Sequence, residues 1–344
     1  MRILVRTSNW LGDIVMSLPA LAALRKHFAT STLVAATPEG LAPLFGAVPF
    51  IDDVLPLASA AGWLGWRRHV HAIRAGQFDI AVLFPNSFQA AWVARRAGVP
   101  ERWGYRSDGR GWLLTKGVDR PRSTGAPLHQ AEYSRRLLAG LGIEVDDSKP
   151  RLVAPPNTRA RARELLQAHG CDVSRHVVVA IAPGSAYGHA RRWLPTRFGE
   201  LIASLTREAD AHIALVGSAH DRDAGYAIES SLAAAGGREA AHRLINLIGR
   251  IDLRTLIGVL AWCRLAVSND SGAAHLASGL GLPVTVIFGP TDERRTAPVG
   301  PHEALAHDVW CRPCSFRDCP IDHRCMKGVS TEMVLSAVRR QLQK

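Results

Sequence analysis

The alternation of short, unbroken apolar runs with amphipathic stretches constrains the fold of this chain more than any other feature. The apolar runs lie at 2–6, 32–36, 79–84, 176–182, 212–216, 264–268 and 283–288. Such runs are typical of parallel strands that are covered on both faces. Helical stretches follow them, of which one opens with Pro195 at a first-turn position and another is predicted to end at Gly236. The alternation predicts an α/β protein with two doubly wound domains.

The chain length and one polar, proline-rich segment predict where the two domains divide. With 344 residues, of which 47% are hydrophobic, the chain exceeds what one core usually holds. The segment DDSKPRLVAPPN, residues 146–157, has the composition of a linker. We therefore predict domains at 1–155 and 156–328. A C-terminal helix in 329–344 follows, and one option is that it packs back on the first domain.

The chain is strongly basic, and nearly all of its positive charge is arginine. The formal net charge is +12, and the stretch 95–136 is especially rich in arginine. Such a field favours an anionic partner, which would be a phosphorylated substrate, an anionic lipid or nucleic acid; the alternative is a solvated arginine-rich surface. No nucleic-acid-binding module is recognisable, so nucleic acid is not an expected partner.

No targeting segment or membrane span is recognisable in the sequence. Arg2, Arg6 and Asp13 interrupt any signal-peptide core near the start of the sequence. The apolar stretches 41–51 and 54–66 are shorter than the ~20 apolar residues that a spanning helix needs. We expect a cytoplasmic protein that has the option of resting on a membrane surface.

The strongest local signal is the segment CRLAVSNDSGAAHLASGLG, in which a strand runs into a helix. The helix is predicted to start near Asp270 or Ser271, and the small residues Gly272 and Ala273 leave its first backbone N–H groups open to an anion. His275 falls on the same helix face as Ser271, where it is placed to bond a phosphate oxygen. The alternative is an ordinary capped helix with a buried histidine.

Two further strand ends carry residues that suit a nucleotide. The segment PGSAYGHARRW places Ser185 in a tight turn and puts Arg191 and Arg192 just ahead of a helix, where guanidinium groups suit phosphate. The segment GSAHDRD places Ser218 and Asp221 where a ribose would sit, because ligands of open α/β sheets bind beyond the carboxyl ends of the strands. The alternatives are surface arginines and, for Asp221, a helix cap. The three strand ends together predict a nucleotide diphosphate site.

A single acid lies in the turn after the first strand, in the segment RTSNWLGDIVMSLPAL. Asp13 is predicted to be a general base that takes a proton from an acceptor hydroxyl; the alternative is a helix N-cap. Gly12 lets the chain turn sharply beside it and lets a substrate approach. Ser8, Asn9 and Trp10 form the rest of the turn, and we expect them to contact the acceptor.

Four segments taken together resemble the lipopolysaccharide heptosyltransferases of glycosyltransferase family 9. They are SNWLGDIVMSLPAL, FPNSFQAAWVARRAGVPERWGYR, PGSAYGHARRW and NDSGAAHLASGLGLPVTVIFGPTD. The resemblance extends over nearly the whole chain, and the first two segments are more similar to type II than to type I. It implies a GT-B fold, in which two Rossmann-like domains face a central cleft. It also implies that the anomeric centre is inverted without an obligatory metal or other cofactor.

The same resemblance implies the substrates and several roles. The donor would be ADP-heptose, and its L-glycero-D-manno-heptose would go to the first heptose of the phosphorylated lipid A inner core. The catalytic aspartate of the family falls on Asp13, its diphosphate motif on Asp270, Ser271, Gly272 and His275, and its acidic ribose contact on Asp221. Its phosphate-binding lysine falls on Arg191, which keeps the charge and changes the geometry. Two alternatives stay open: transfer to Kdo or another acceptor, and a non-catalytic nucleotide-sugar-binding protein of the same fold.

The acceptor side is predicted from the basic stretch and from the end of the third apolar run. Asn86 and Ser87 follow that run, and Arg96, Arg102 and Arg106 lie in the basic stretch. We expect these residues to contact the phosphates and acids of the inner core. The resemblance further implies a cytoplasmic enzyme, which we expect to be a monomer with peripheral contact at the inner face of the inner membrane.

Four of the six cysteines lie close together in the segment CRPCSFRDCPIDHRC. The spacing of Cys311, Cys314, Cys319 and Cys325, with His323 among them, is compact enough for a tetrahedral metal site. A structural zinc ion or iron–sulfur cluster that staples the loop before the last helix is one hypothesis. The alternatives are free thiols and a disulfide, and the disulfide is disfavoured in a reducing cytosol.

Overall fold

The computed structural model of the chain describes residues 1–59, 62–121, 127–234 and 237–343, apart from the side chain of Arg238. The chain divides into two compact units, Met1–Val153 and Ala154–Lys344. The predicted helix end at Gly236 and part of the basic stretch, residues 122–126, lie outside the described residues. Each unit is built around one parallel sheet.

The first unit contains a parallel sheet with the strand order β3-β2-β1-β4-β5-β6. Its strands are β1 (Arg2–Arg6), β2 (Thr32–Pro38), β3 (Asp53–Leu57), β4 (Ile80–Leu83), β5 (Glu101–Arg106) and β6 (Lys116–Asp119). Its α-helices are α1 (Leu11–Met16), α2 (Leu18–His27), α3 (Gly62–Ala75), α4 (Phe88–Arg96) and α5 (Gln130–Gly140). The order reverses between β1 and β4, and a crevice at such a reversal is where open α/β sheets bind ligands.

The second unit repeats this architecture with the strand order β12-β11-β10-β7-β8-β9. Its strands are β7 (Val178–Ala182), β8 (His212–Leu215), β9 (Leu244–Asn246), β10 (Leu265–Asn269), β11 (Val284–Phe288) and β12 (His302–Ala306). Its α-helices are α6 (Pro156–Ala168), α7 (Pro195–Glu208), α8 (Arg222–Ala234), α9 (Arg238–His242), α10 (Leu253–Leu260), α11 (Gly272–Gly279), α12 (Glu293–Thr296), α13 (Arg324–Gly328) and α14 (Thr331–Leu342). Here the reversal lies between β7 and β10.

The strands predicted from apolar runs form the middle of each sheet. Every residue of β4, β7, β8, β10 and β11 is buried, which explains why these runs carry no polar alternation. The sequence analysis missed β3, β5, β6, β9 and β12. Most of them lie at or near a sheet edge and are only partly buried, so their apolar signal is weak.

The C-terminal helix belongs to the second unit. Helix α14 packs against α7 and against β10, β11 and β12. Val334, Leu335 and Val338 are buried within the core of that unit. The apolar face of α14 thus completes the core of the second unit.

Two local sequence features set the helix boundaries that matter for function. Pro19 is the second residue of α2, and the chain is divided at Ser17 into the short helix α1 and the helix α2. Pro195 is the first residue of α7, as predicted. Within the described part of the chain, no helix combines the length and apolarity needed to cross a bilayer.

Candidate functional site

Asp13 lies in the first turn of α1, which follows β1 after a short turn. It is the third residue of that helix, and Trp10 occupies the N-cap position without a side-chain cap. The alternative role of Asp13 as an N-cap is therefore wrong. Its Oδ2 accepts a hydrogen bond of 3.0 Å from the hydroxyl of Ser8. The carboxylate is thus oriented within its own turn.

Arg6, the last residue of β1, holds this turn in place. Its guanidinium donates to the carbonyl of Thr7 at 2.6 Å and to Oδ1 of Asn9 at 2.7 Å. Burial lowers the pKa of Arg6 to about 10, so the side chain is still charged at neutral pH. The Asn9 side chain is therefore bound within the turn, whereas the Trp10 side chain is 51% exposed.

A polar cavity of about 200 Å³ opens beside Asp13 in the first unit. It is lined by Ser8, Asp13, Ser17, Phe84, Pro85, Asn86, Tyr105, Gln130, Tyr133, Ser134 and Leu137. It therefore lies at the carboxyl ends of β1 and β4, where the strand order reverses. The predicted residues Ser8, Asp13 and Asn86 are brought together here. The tyrosines and Gln130 were not predicted, because they come from β5 and α5, far along the chain.

Asn86 offers an acceptor group to this cavity. Its Nδ2 donates to the hydroxyl of Tyr133 at 3.4 Å, and its buried Oδ1 has no hydrogen-bond partner among the described residues. A buried carbonyl oxygen without a partner is costly, so such an atom suits a ligand hydroxyl. Ser87, the next residue, instead caps α4 by accepting from the N–H of Ala90.

Arg110 supports the segment that carries Asn86, and no sequence pattern singled it out. The residue is fully buried, and its guanidinium donates to the carbonyls of Pro85, Ser87 and Tyr105. Burial lowers the pKa of Arg110 to about 10. Arg110 thus ties the loop after β4 to the end of β5.

The predicted acceptor arginines lie in three different places. Arg106, at the carboxyl end of β5, is exposed and pairs with Asp119 at 3.2 Å. Arg96, in the last turn of α4, is exposed and lies over the ring of Trp92. Arg102 lies near the start of β5, at the opposite edge from the cavity.

The guanidinium of Arg102 is committed to the fold. It donates to the carbonyls of Val99, Pro100 and Leu113 at 2.5 to 2.7 Å. These bonds hold two loops at the amino-terminal edge of the first sheet. The structure therefore does not bring Arg102 together with the other predicted acceptor residues.

In the second unit, Asp270 and Arg191 form a nearly buried ion pair. Asp270 follows β10 directly and is 3% exposed; its Oδ2 lies 3.0 Å from Arg191 and accepts from the hydroxyl of Thr291 at 2.6 Å. Burial raises the pKa of this carboxyl, and the charge of Arg191 opposes the rise. The guanidinium of Arg191 also lies 4.0 Å from the ring centre of Tyr187. Arg191 is thus fixed at the end of β10.

The N-terminus of α11 has the small, open first turn that the motif predicts. Ser271 occupies the N-cap position, and its hydroxyl bonds to the hydroxyl of Ser268 at 3.0 Å instead of capping the helix. Ser271, Gly272 and Ala273 are partly exposed, while His275 is 5% exposed. The first backbone N–H groups of this helix are therefore accessible to an anion.

Asp221 braces the third strand end. Its Oδ2 accepts from the backbone N–H of Ser218 at 3.0 Å and from the Ser218 hydroxyl at 2.8 Å, which forms a capping box. Its Oδ1 lies 3.2 Å from Arg192, which also approaches the carbonyl of Ser185 at 3.5 Å. Asp221 is thus the acid of the capping box, whereas Ser218 is the cap. A Cβ at Gly184 would lie only 2.2 to 2.4 Å from the Asp221 carboxyl group, so glycine is required there.

Asn269 joins two of these strand ends, which the sequence analysis did not foresee. The side chain is fully buried; Nδ2 donates to the carbonyl of Pro183 at 2.6 Å, and Oδ1 accepts from the N–H of Trp193 at 3.1 Å. The loop that carries Arg191 and Arg192 is therefore anchored at both ends to β10.

The four clustered cysteines line one small cavity next to the same loop. Cys311, Cys314, Cys319 and Cys325 carry free thiols and surround a space of about 20 Å³. Their segment bonds to the arginine-bearing loop: the carbonyl of Arg317 accepts from the N–H of Ala190 at 2.8 Å. The Nε2 of His323 lies 2.7 Å from the Ala190 carbonyl and bonds to it. The cysteine loop thus buttresses the Arg191 segment.

Comparison with known proteins decides the family. The sequence profile of glycosyltransferase family 9 (heptosyltransferase) matches residues 66–324, which is more than half of the chain. The chain belongs to glycosyltransferase family 9. It is therefore a glycosyltransferase with two Rossmann-like units, as the sequence analysis predicted.

Individual members of the family are similar over most of their length. Lipopolysaccharide heptosyltransferase 2 of Escherichia coli K12 is 28% identical over 311 residues, which cover 88% of this chain and 87% of that protein. Lipooligosaccharide heptosyltransferase 2 of Haemophilus influenzae is 25% identical and covers 87% of this chain and 86% of its own length. The solved structure of Escherichia coli ADP-heptose lps heptosyltransferase II has a TM-score of 0.84 at 24% identity, with 100% of this chain and 99% of that chain covered. This structural likeness confirms the predicted GT-B type of fold.

Proposed function

We propose that this family 9 enzyme transfers heptose from ADP-heptose to the first heptose of a lipopolysaccharide inner core, with inversion. The observation that carries the proposal is the polar cavity in which Asp13 and Asn86 meet at the strand-order reversal of the first sheet. An anion-suited strand–helix junction in the second unit supports a nucleotide donor. The names of the relatives, which are heptosyltransferases of type 2, support the type of sugar and acceptor.

Asp13 is the proposed general base. An acceptor hydroxyl attacks the anomeric carbon of the donor, and its O–H proton passes to the Asp13 carboxylate. The bond between the anomeric carbon and the diphosphate oxygen breaks, and its electron pair leaves with ADP. Ser8 keeps the carboxylate oriented through the 3.0 Å bond to Oδ2. A single displacement of this kind inverts the anomeric centre.

The second unit is proposed to bind the departing diphosphate. The open N–H groups at Ser271, Gly272 and Ala273 suit phosphate oxygens, and His275 adds a hydrogen-bonding group on the same helix. Arg191, which pairs with Asp270, brings a guanidinium group to the same strand end. Such fixed donors stabilise the charge that develops on the leaving group without reorganisation.

Arg192, Ser185, Ser218 and Asp221 are proposed to shape the nucleotide side of this site. The Asp221 carboxylate already accepts bonds from Ser218 and faces Arg192. Its strongest contribution is therefore to hold Ser218 and Arg192 in position, and a ribose hydroxyl would compete with these bonds. A loss of nucleotide affinity without misfolding in Asp221→Asn would separate ribose binding from this bracing role.

The acceptor is proposed to enter the first-unit cavity. The Oδ1 of Asn86, the tyrosine hydroxyls and Gln130 are suited to bind sugar hydroxyl groups. The exposed Arg106, at the carboxyl end of β5, is proposed to contact inner-core phosphates. Arg96, at the end of α4, and Arg102, near the start of β5, lie toward the other edge of the sheet and are left out of this set. Testing heptosyl-Kdo₂-lipid A against Kdo₂-lipid A would decide between the first heptose and Kdo as the acceptor sugar.

Peripheral contact with a membrane surface is proposed for the face formed by α3 and the end of α4. Trp63 and Leu64 at the start of α3 are 64% and 59% exposed, and Arg67 lies over the Trp63 ring. Trp112 is 65% exposed, and the guanidinium of Arg95 lies 5.0 Å from its ring centre. Exposed aromatic residues with arginines suit the interface of an anionic bilayer, where the lipid acceptor would reside. Loss of sedimentation with phosphatidylglycerol vesicles in Trp63→Ser would support this contact, and unchanged sedimentation would contradict it.

The cysteine cluster is proposed to hold a structural zinc ion or iron–sulfur cluster. Four thiols that line one small cavity fit such a group by donor type. Among the described residues, however, no three of these thiol sulfurs lie within 4.8 Å of one another, so binding would require the loop to contract. Bound metal would fix the segment that carries Arg191. Absence of zinc and iron from protein purified without a histidine tag would contradict this proposal.

The transfer itself is tested by mass spectrometry. The purified chain is incubated with ADP-heptose and heptosyl-Kdo₂-lipid A, and both ADP and the glycolipid are measured. The proposal expects one added heptose for each ADP released. Release of ADP without acceptor would indicate hydrolysis, and absence of any reaction with ADP-heptose would indicate another donor.

A further inference from the structure

A second group of metal-ligating side chains lies in the second unit, apart from the cysteine-rich loop. Cys171, His176 and His212 each offer one ligand atom, and these three atoms all lie within 4.8 Å of one another. Cys171 and His212 are buried, whereas His176 is partly exposed. We propose that Cys171, His176 and His212 form a binding site for a zinc ion.

The local sequence creates the first half of this site. Helix α6 ends in a Schellman motif: Gly170 takes a positive φ of 79°, and the N–H of Cys171 bonds back to the carbonyl of Leu166 at 3.0 Å. A tight turn follows, in which the N–H of His176 bonds to the carbonyl of Asp172 at 2.9 Å. This turn brings the imidazole of His176 close to the thiol of Cys171.

The second half comes from the neighbouring strand. His212 is the first residue of β8 and pairs with Val178, the first residue of β7. Val178 lies two residues after His176 in the sequence. The ring of His212 stacks on the ring of His176 with the ring centres 4.5 Å apart. The site thus lies at the amino-terminal edge of the second sheet. The residues proposed to bind ADP-heptose follow the carboxyl ends of β7 and β8, at the opposite edge of the same sheet. The proposed zinc site and the proposed nucleotide site are therefore distinct.

One unsatisfied nitrogen atom indicates that this cluster is suited to a ligand. His212 is only 7% exposed, and its Nδ1 has no hydrogen-bond partner among the residues that the structure describes. An unpaired buried nitrogen is costly, and a coordinated cation would remove that cost. The Nδ1 of His176 accepts one bond of 3.1 Å, from the N–H of Asp172. Coordination through this nitrogen would replace that bond.

The donor set selects the class of cation. One thiolate and two imidazoles suit zinc, which in catalytic-type sites has three protein ligands and leaves a fourth position to water. Zinc–sulfur and zinc–nitrogen bonds are about 2.0–2.3 Å long. The three ligand atoms must therefore come somewhat closer to one another than the 4.8 Å within which they now lie. Binding would require the two stacked rings to rotate until one nitrogen of each points at the ion. Binding exchanges the thiol proton for the metal, so one proton is released to solvent.

Bound zinc would connect three segments of the second unit. They are the end of α6, the turn before β7 and the first residue of β8. We therefore expect zinc to stabilise the second unit without contributing a group to the transfer reaction.

The test counts zinc ions in the full chain, purified without a histidine tag and stripped with a chelator. Native mass spectrometry after addition of zinc chloride is expected to find one ion fewer in Cys171→Ser and His212→Gln than in the unaltered chain. Any zinc held by the cysteine-rich loop stays in all of these variants. Two control variants, Cys263→Ser and His169→Gln, change a thiol and an imidazole outside the group and should keep the full count.

Two further readouts keep the result decisive. Cobalt(II) added to the stripped chain should give a thiolate charge-transfer absorption that is weaker in Cys171→Ser than in Cys263→Ser. If the buried variants fail to fold, His176→Gln, at the partly exposed position, should lower the apparent zinc affinity of this site by at least about 10-fold. An equal zinc count in the folded variants and the unaltered chain would overturn the proposal, as would zinc loss only when Cys311 or Cys314 is replaced.

Discussion

The hydroxyl of Ser8 lies 3.0 Å from Oδ2 of Asp13 and donates a hydrogen bond to it. This bond joins the turn after β1 to the first turn of α1, so the proposed base is held by a residue of its own turn. Arg6 fixes the intervening Asn9. The acid is therefore oriented before any substrate binds, which is a general requirement for efficient proton transfer.

Replacement of the proposed base should separate catalysis from binding. Asp13→Asn keeps the shape of the side chain and removes its basicity, so turnover is expected to fall by ~10²-fold or more. ADP affinity, measured by calorimetry, should stay unchanged because the residues proposed to bind the nucleotide lie in the other unit. Ser8→Ala is the matched variant, and loss of the bond from its hydroxyl to Asp13 should lower turnover by only about 5- to 10-fold. Similar turnover in Asp13→Asn and the unaltered enzyme would refute the base assignment.

Arg110 should be essential for stability and for the acceptor cavity. Arg110→Met leaves the carbonyls of Pro85, Ser87 and Tyr105 without a donor in a buried place, so we expect a loss of about 3 kcal/mol in the free energy of unfolding. The urea midpoint measures this loss. Arg106→Met removes an exposed ion pair and should cost less than about 1 kcal/mol. Equal midpoints for the two variants would contradict the bracing role of Arg110.

The close approach of Gly184 to Asp221 predicts a sensitive glycine. Gly184→Ala would place a methyl group 2.2 to 2.4 Å from the carboxyl group, so the capping box and the Arg192 pair must shift. We expect weaker ADP binding and a lower melting temperature. Gly46→Ala, where nothing lies within 4 Å of the added carbon, should leave both quantities nearly unchanged. A Gly184→Ala enzyme with unaltered ADP affinity would show that this strand end does not contribute to the nucleotide site.

Arg191 should contribute to donor binding through its charge. Arg191→Met is expected to weaken ADP binding by about 10- to 100-fold, because a charge-assisted contact to phosphate is lost. Arg191→Lys restores the charge and should recover much of the affinity. Arg254→Met, an exposed arginine of the same unit, provides the control for a general change in net charge. If Arg191→Met and Arg254→Met bound ADP equally well, the phosphate contact would be excluded.

The sequence predicts the sheet centres and the polar strand ends because both depend on local residue patterns. The fully buried β7, β10 and β11 read as unbroken apolar runs, and the small first turn of α11 is visible as Ser271-Gly272-Ala273. Edge strands such as β3 and β12 are half exposed, and so their pattern resembles that of loops. The sequence pattern therefore predicts the fold class but not the exact number of strands.

Residues that act by bridging distant segments escaped prediction. Arg110 and Asn269 bond to the carbonyls of residues far from them in sequence, and nothing in their neighbourhood signals this. Arg102 was expected at the acceptor site for its charge alone. Its position near the start of β5 places it at the other sheet edge, a distinction that requires knowledge of the strand boundaries.

The most direct test of the proposed function compares heptose transfer by the unaltered enzyme and by Asp13→Asn. The donor is ADP-heptose, and heptosyl-Kdo₂-lipid A and Kdo₂-lipid A are offered as acceptors in parallel reactions. The mass of the glycolipid is followed with time at saturating donor. We predict the gain of one heptose with the unaltered enzyme and a rate at least ~10²-fold lower with Asp13→Asn. Equal rates for the two proteins, or a heptose gain only on Kdo₂-lipid A, would contradict the proposed base or the proposed acceptor, respectively.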